Sequence, residues 1–234
     1  MVKLSTPIFQ LKRRAKLMVR NNAIPLHEAL DQIAREEGFA RWSLLSAHIA
    51  AGSLSEDLFS RIVDGDMLLL AGRPGQGKTA LGFDLLRAAA DDGRQSVLFT
   101  LEMTEKQARK RIEKHAAGQR ETEIMTSDEI CADYIIRHLS PATPGTFAVI
   151  DYLQILDQQR HKPDLSQQVT ALGEFAQKTG VIFAFISQVD RSFDPEVKRL
   201  PDMRDIRLPN LLDLGLFTKA CFLNNGETQL HNVN

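Results

Sequence analysis

Cysteine is almost missing: the 234 residues hold only Cys131 and Cys221. Two cysteines so far apart make neither a disulfide framework nor a zinc motif, and the default compartment is a reducing cytoplasm. Long apolar runs are missing too. The longest spans residues 181–186, far short of a bilayer. The basic N-terminus has no apolar signal core. Net charge is lacking, at -1 from 29 basic and 30 acidic side chains, which excludes a globally basic nucleic-acid binder but not a local patch. None of the six histidines pairs with a cysteine or another histidine at metal spacing, so no structural zinc is expected. No serine has a nucleophile-elbow setting, and no internal repeat stands out. What remains is ordinary globular composition, 43% hydrophobic and 25% charged, in a chain long enough to bury a core without staples.

The charge is unevenly spread. The first 27 residues contain no Asp or Glu but carry Lys3, Lys12, Arg13, Arg14, Lys16 and Arg20. Three short helical patterns follow one another. The first covers about residues 6–20, with Ile8, Leu11, Ala15 and Met18 at helical spacing and Lys12, Lys16 and Arg20 as a stripe beside them. The second starts at Pro25 and stops at Gly38. The third covers about residues 40–51 and carries Trp42, Leu45 and Ile49, with Gly52 and Ser53 as a break. Residues 1–54 therefore read as a small all-α module. Its stripe of Lys12, Arg13, Lys16 and Arg20 is either a solvated face, a surface for a protein partner, packing against the rest of the chain, or a DNA-docking patch.

From residue 55 to 234 the pattern changes to alternating strands and helices. Strands are expected at about 67–71, 96–101, 147–150, 181–186 and 216–223, and helices at 79–90, 105–116, 128–139 and 166–178. Such alternation means an α/β fold with a mostly parallel sheet flanked by helices on both faces.

Between the first of these strands and its helix stands Gly72-Arg73-Pro74-Gly75-Gln76-Gly77-Lys78-Thr79, followed by Ala80. It fits G-x-x-x-x-G-K-[ST], a phosphate-binding loop. Glycines let backbone N–H groups approach phosphate oxygens, and the following helix N-terminus favours an anion. Lys78 is placed to reach the β- and γ-phosphates and Thr79 to ligate Mg²⁺. Phe147-Ala148-Val149-Ile150 leads into Asp151, the strand-plus-acid form of a Walker B element that supports Mg²⁺; a strand-ending turn Asp is the plain alternative. Leu98-Phe99-Thr100-Leu101 leads into Glu102, the candidate base that activates water, unless it is a solvated acid at a helix start. The strand at 181–186 runs into Ser187-Gln188. Gln188 is either a γ-phosphate sensor or a surface amide.

Together these segments resemble the RecA-like ATPase core of DnaB-type replicative helicases. The likeness rests on the phosphate loop with its Arg73-Pro74, on Phe99-Thr100-Leu101-Glu102-Met103, on Val149-Ile150-Asp151-Tyr152-Leu153-Gln154, and on Ile186-Ser187-Gln188-Val189-Asp190-Arg191 with Lys198-Arg199-Leu200-Pro201 and Asp205-Ile206-Arg207. It spans roughly residues 60–225. The resemblance implies a RecA-like P-loop NTPase that hydrolyses ATP with Mg²⁺ as cofactor. Lys78, Glu102, Asp151 and Gln188 would be catalytic, and Thr79 and Asp151 would serve the metal. The loop from Arg191 to Arg207 would face single-stranded DNA in the channel of a homo-oligomeric ring, such as a hexamer. Lys198 and Arg199 would be its phosphate contacts, unless that loop is an ordinary solvated one.

The sequence departs from the family in three ways. The N-terminal module is smaller, the stretch between Met103 and Phe147 is shorter, and no Lys or Arg follows Lys219. The family's trans-acting Lys-x-Arg element thus has no counterpart, and such a finger is worth about 10³–10⁵ in rate. Slow hydrolysis, or completion of the site by a partner, is expected unless Arg191 or Arg207 substitutes. Two functions stay open: a minimal DNA-stimulated ATPase of helicase type, and an ATP-dependent regulatory switch or adaptor, KaiC- or RadA-like, with weak turnover.

Overall fold

The computed structural model describes residues 5–6, 8–22, 24–113, 121–157, 163–207 and 212–233. The chain divides into two compact units, residues 1–56 and 57–234.

Three helices build the first unit: α1 (Ile8–Asn22), α2 (Leu26–Glu36) and α3 (Trp42–Ser60), whose last turn lies in the second unit. Leu11 and Ala15 of α1 pack against Ala29 and Ile33 of α2, with Met18, Val19, Leu30 and Trp42 around them. Pro25 occupies the N-cap of α2, where its missing N–H costs nothing. Gly38, at φ +87°, ends that helix, and the N–H of Phe39 closes the turn on the Ala34 carbonyl at 2.8 Å. The Asp31 carboxylate accepts the Trp42 N–H at 2.8 Å, tying the start of α3 to α2. Buried Glu37 accepts both the N–H and the hydroxyl of Ser5, and these bonds hold its carboxyl below the usual range.

The expected break at Gly52 and Ser53 does not occur: α3 runs through both. One interior glycine costs a helix only about 1 kcal/mol, and Leu58, buried further along, keeps the apolar pattern going.

The second unit is a seven-stranded sheet in the order β3-β2-β4-β5-β1-β6-β7. The strands are β1 (Met67–Gly72), β2 (Ser96–Thr100), β3 (Glu123–Met125), β4 (Phe147–Asp151), β5 (Ile182–Gln188), β6 (Lys219–Asn224) and β7 (Glu227–Asn232). All pairings are parallel except β6–β7. The helices are α4 (Lys78–Asp91), α5 (Glu105–Glu113), α6 (Ala132–Leu139) and α7 (Leu165–Thr179). Every residue of β1, β2 and β4 is buried, as a parallel sheet covered on both faces requires. The main core runs from Val97 and Phe99 of β2 through Ala148, Ile150, Phe183 and Phe185 to Phe217 and Phe222.

Several boundaries differ from the sequence reading. The helix expected at 128–139 begins only at Ala132, because residues 127–130 form a turn closed by the Ile130 N–H on Ser127. The last parallel strand starts at Lys219 instead of residue 216, after a 3₁₀ turn at Leu214–Leu216. The end of the helix expected at 105–116 falls outside the described residues. Strands β3 and β7 have no counterpart in the sequence reading. Among the described residues, no helix is long and apolar enough to cross a membrane.

Candidate active site

Register sets the site. Thr100 of β2 pairs with Asp151 of β4, Asp151 with Ile186 of β5, and Ile186 with Leu70 of β1. The C-terminal ends of four parallel strands therefore lie level, and open α/β sheets bind ligands at that edge. Gly72 then pairs with Gln188 two residues on. The phosphate loop, Glu102, Asp151 and Gln188 all leave the sheet along this one rim.

The loop between β1 and α4 has the backbone its glycines predict. Gly75 and Gly77 stand at φ +80° and +87°, a region that costs other residues about 1–2 kcal/mol. Gly77 caps the N-terminus of α4, so unbonded N–H groups face the loop. Lys78 is buried, and its ammonium donates to the Arg73 carbonyl across the loop at 3.0 Å. Burial lowers its pKa, while the charge of Asp151 works the other way.

Asp151 is only 3% exposed. Burial pushes its pKa up to about 6, and the negative charge of Glu102 adds to this. A hydrogen bond from the Thr79 hydroxyl and the positive charges of Lys78 and Arg111 oppose it. The structure thus brings Lys78, Thr79, Glu102 and Asp151 into one electrostatic cluster. Glu102 itself is exposed, two residues beyond β2, with its N–H held by the Thr100 hydroxyl at 3.1 Å. Arg111, from α5, is the cluster member that sequence reasoning missed. Nothing in its spacing announces it, because its charge acts on Asp151 through the fold and not through a motif.

The residues fit a magnesium ion. Oδ2 of Asp151 is buried without any hydrogen-bond partner, beside the Thr79 hydroxyl. A carboxylate and a hydroxyl are the hard oxygen donors that Mg²⁺ takes along with substrate phosphates. Among the described residues no group of three His, Cys, Asp or Glu could hold a metal, and an ion shared with a substrate needs none.

Gln188 is half-buried; its backbone carbonyl accepts the Arg207 backbone N–H at 2.8 Å, and Val189 bridges to Ile206. Residues 190–206 are thereby pinched off at the rim as one loop. Three of its four cations are paired, two of them within the loop. Lys198 lies 2.7 Å from Asp202 and 2.6 Å from Asp205, Arg204 pairs with Asp202, and Arg199 pairs with Glu227 of β7. Arg191 and Arg207 make no ion pair among the described residues. The turn between β6 and β7 joins this loop to the phosphate loop: the Asn225 N–H donates to the Gln76 side chain at 2.6 Å, and the Asn224 amide donates to the Arg199 carbonyl at 2.8 Å. Lys12, Arg13, Lys16 and Arg20 belong to the other unit and are exposed there.

A parallel sheet with a phosphate loop after β1, an acid on β4, and the intervening β5 carrying a polar residue is the RecA-like P-loop NTPase fold. Residues 55–135 match the family described as DnaB-like helicase C terminal domain. Among solved structures, one described as an ATPase domain aligns over 73% of this chain and 74% of its own, at 20% identity and a TM-score of 0.58. A DnaB-like replicative helicase, solved together with a study of its interactions with primase, aligns over 92% of this chain and 66% of its own, at 18% identity and a TM-score of 0.55. A KaiC-like protein from Pyrococcus horikoshii OT3 aligns over 68% and 70%, at 17% identity and a TM-score of 0.49. No curated protein sequence matches the chain. The fold is thus RecA-like, and residues 55–135 are the part similar to the DnaB-like C-terminal domain.

Proposed function

We propose that the chain is a Mg²⁺-dependent ATPase of DnaB type that responds to single-stranded DNA. The observation that carries this reading is the buried, unpartnered oxygen of Asp151 beside Thr79 and Lys78 at the rim of the sheet. ATP would lie along residues 72–80, with the backbone N–H groups and Lys78 countering its phosphate charge. Thr79 and Asp151 would hold the Mg²⁺, which neutralises charge on the phosphate oxygens. Glu102, the solvent-facing carboxylate of the cluster, would orient water and take its proton. Gln188 would contact the γ-phosphate and pass its loss to the loop at 190–206 through Arg207.

The rim loop is the surface proposed to meet the nucleic acid, with Arg191 and Arg207 as its unpaired cations and Lys198 and Arg199 as its paired ones. That pairing also supports the second reading, a regulatory switch with weak turnover. Turnover with and without single-stranded DNA at low salt, with the mass in solution under ATP and Mg²⁺, separates the two. Stimulation by DNA from an oligomer is the expected result. Hydrolysis indifferent to DNA, from a chain that stays monomeric, rejects the helicase-type reading.

Two substitutions refine the picture. Glu227→Gln should free Arg199 and add one phosphate contact. Affinity for single-stranded DNA should rise several-fold at low salt, and the slope of log K against log salt should steepen by about 0.7. Arg111→Gln should lower kcat on the order of tenfold, because a positive charge that acts on Asp151 is lost. ATP affinity, measured separately by calorimetry, should change little; an equal loss in both would make Arg111 a ground-state binding residue.

A further inference from the structure

The basic stretch of α1 has no part in ATP chemistry. This helix turns Leu11 and Ala15 inward, where both are fully buried. At 100° per residue, Phe9, Arg13, Lys16, Leu17 and Arg20 fall on the opposite arc with Lys12 at its edge, and all six are exposed. Phe9 is 65% and Leu17 47% exposed. Among the described residues, none of these four cations makes an ion pair, whereas Arg14 on the flank pairs with Glu36 at 2.7 Å. Lys12, Lys16 and Arg20 stand four apart, and like charges at that spacing weaken a helix. No acid on α1 relieves them, because Glu28 is the first in the chain.

We propose that this face of α1 docks single-stranded nucleic acid, with its cations on successive phosphates and the Phe9 ring stacked on a base. It rests on the DNA-dependent reading only for the choice of polyanion. The three aligned cations rise by about 6 Å per step, a run that tracks an extended backbone. An exposed ring among them has a use only where bases are unstacked, and this favours single strands over duplex. A membrane-surface helix instead buries a broad apolar face in lipid. Here that face is spent on α2, and only Phe9 and Leu17 remain outside.

The test uses the full chain and anisotropy with labelled oligothymidine across a salt series. A variant with Lys12, Arg13, Lys16 and Arg20 all changed to Gln should bind weakly, with the salt slope reduced by about 3. Phe9→Ala should weaken binding on the order of tenfold with the slope unchanged, and Phe9→Tyr should restore it. All these positions are exposed, and helicity by circular dichroism should match the parent. Arg207→Gln is measured in parallel. If the four-fold variant binds like the parent while Arg207→Gln does not, the α1 proposal falls and the rim-loop reading stands. If the four-fold variant loses binding while Arg207→Gln keeps it, α1 is the site and the rim-loop reading falls. Absence of binding by the parent overturns both. Vesicles of phosphatidylserine and phosphatidylcholine are the second probe: loss of vesicle binding with oligothymidine binding intact would assign the face to membrane and overturn the proposal.

Discussion

Glu102→Gln should lower ATP turnover by about 10²–10⁴-fold, the usual contribution of a general base, and leave ATP binding in place. The substitution keeps shape and removes only basicity. Glu102 is exposed, and the bond that fixes its position runs from its own backbone N–H to Thr100, so the change should not disturb the fold. It also removes a negative charge that opposes ionisation of Asp151. Affinity for Mg²⁺-ATP should therefore hold or rise slightly. Lys78→Ala should behave differently. Its ammonium is buried inside the loop, so binding and turnover should fall together. Single-turnover hydrolysis beside calorimetric ATP binding resolves the two patterns. A Glu102→Gln variant that turns over within about threefold of the parent would remove this residue from the base role.

What could be read from the sequence follows from how much chemistry each segment concentrates in a few adjacent residues. The phosphate loop was legible because glycine at Gly75 and Gly77 answers a backbone demand that no other residue meets cheaply. Strands β1, β4 and β5 were legible because a strand buried on both faces must be an unbroken apolar run. Strand β3 was not, since Ile124 is the only buried residue of its three. Strand β7 has no fully buried residue, so its apolar pattern is faint. The turn before it did carry a signal: Asn225-Gly226, both at positive φ, is the pair that tight hairpins favour. Gly52 misled in the other direction, because one glycine is a weak helix breaker when the apolar pattern resumes beyond it. The ion pair of Arg199 with Glu227 could not be read at all. It joins the rim loop to β7, and charge spacing along the chain does not register such neighbours.

The other end of β1 should carry the largest stability effect. Asp66, just ahead of β1, is 4% exposed. One of its carboxylate oxygens accepts the Thr218 hydroxyl at 2.7 Å. The other accepts the Val63 N–H at 2.8 Å and pairs with the ammonium of Lys219. The Thr218 oxygen in turn accepts the Met67 N–H at 3.1 Å. This node locks the entry of β1 to the entry of β6, and through β6 it anchors the antiparallel β7. Asp66→Ala would leave a largely buried ammonium and the Val63 N–H without their acceptor, and the Thr218 hydroxyl with only the Met67 carbonyl at 3.3 Å. Breaking one side of a buried pair costs about 3–5 kcal/mol, and at about 2–4 °C per kcal/mol for a unit of this size Tm should fall by roughly 10 °C. Adding Lys219→Met to Asp66→Ala should recover much of that loss, because the unpaired charge is gone. A single variant melting within about 2 °C of the parent would show that the pair is not needed. Catalysis gives an independent check. Gly72 lies at the far end of β1, about 17 Å from Met67 at the strand rise, so kcat well below the melting transition should match the parent even as Tm drops. Stability and turnover are held by opposite ends of the same strand, and these two sets of variants should separate them.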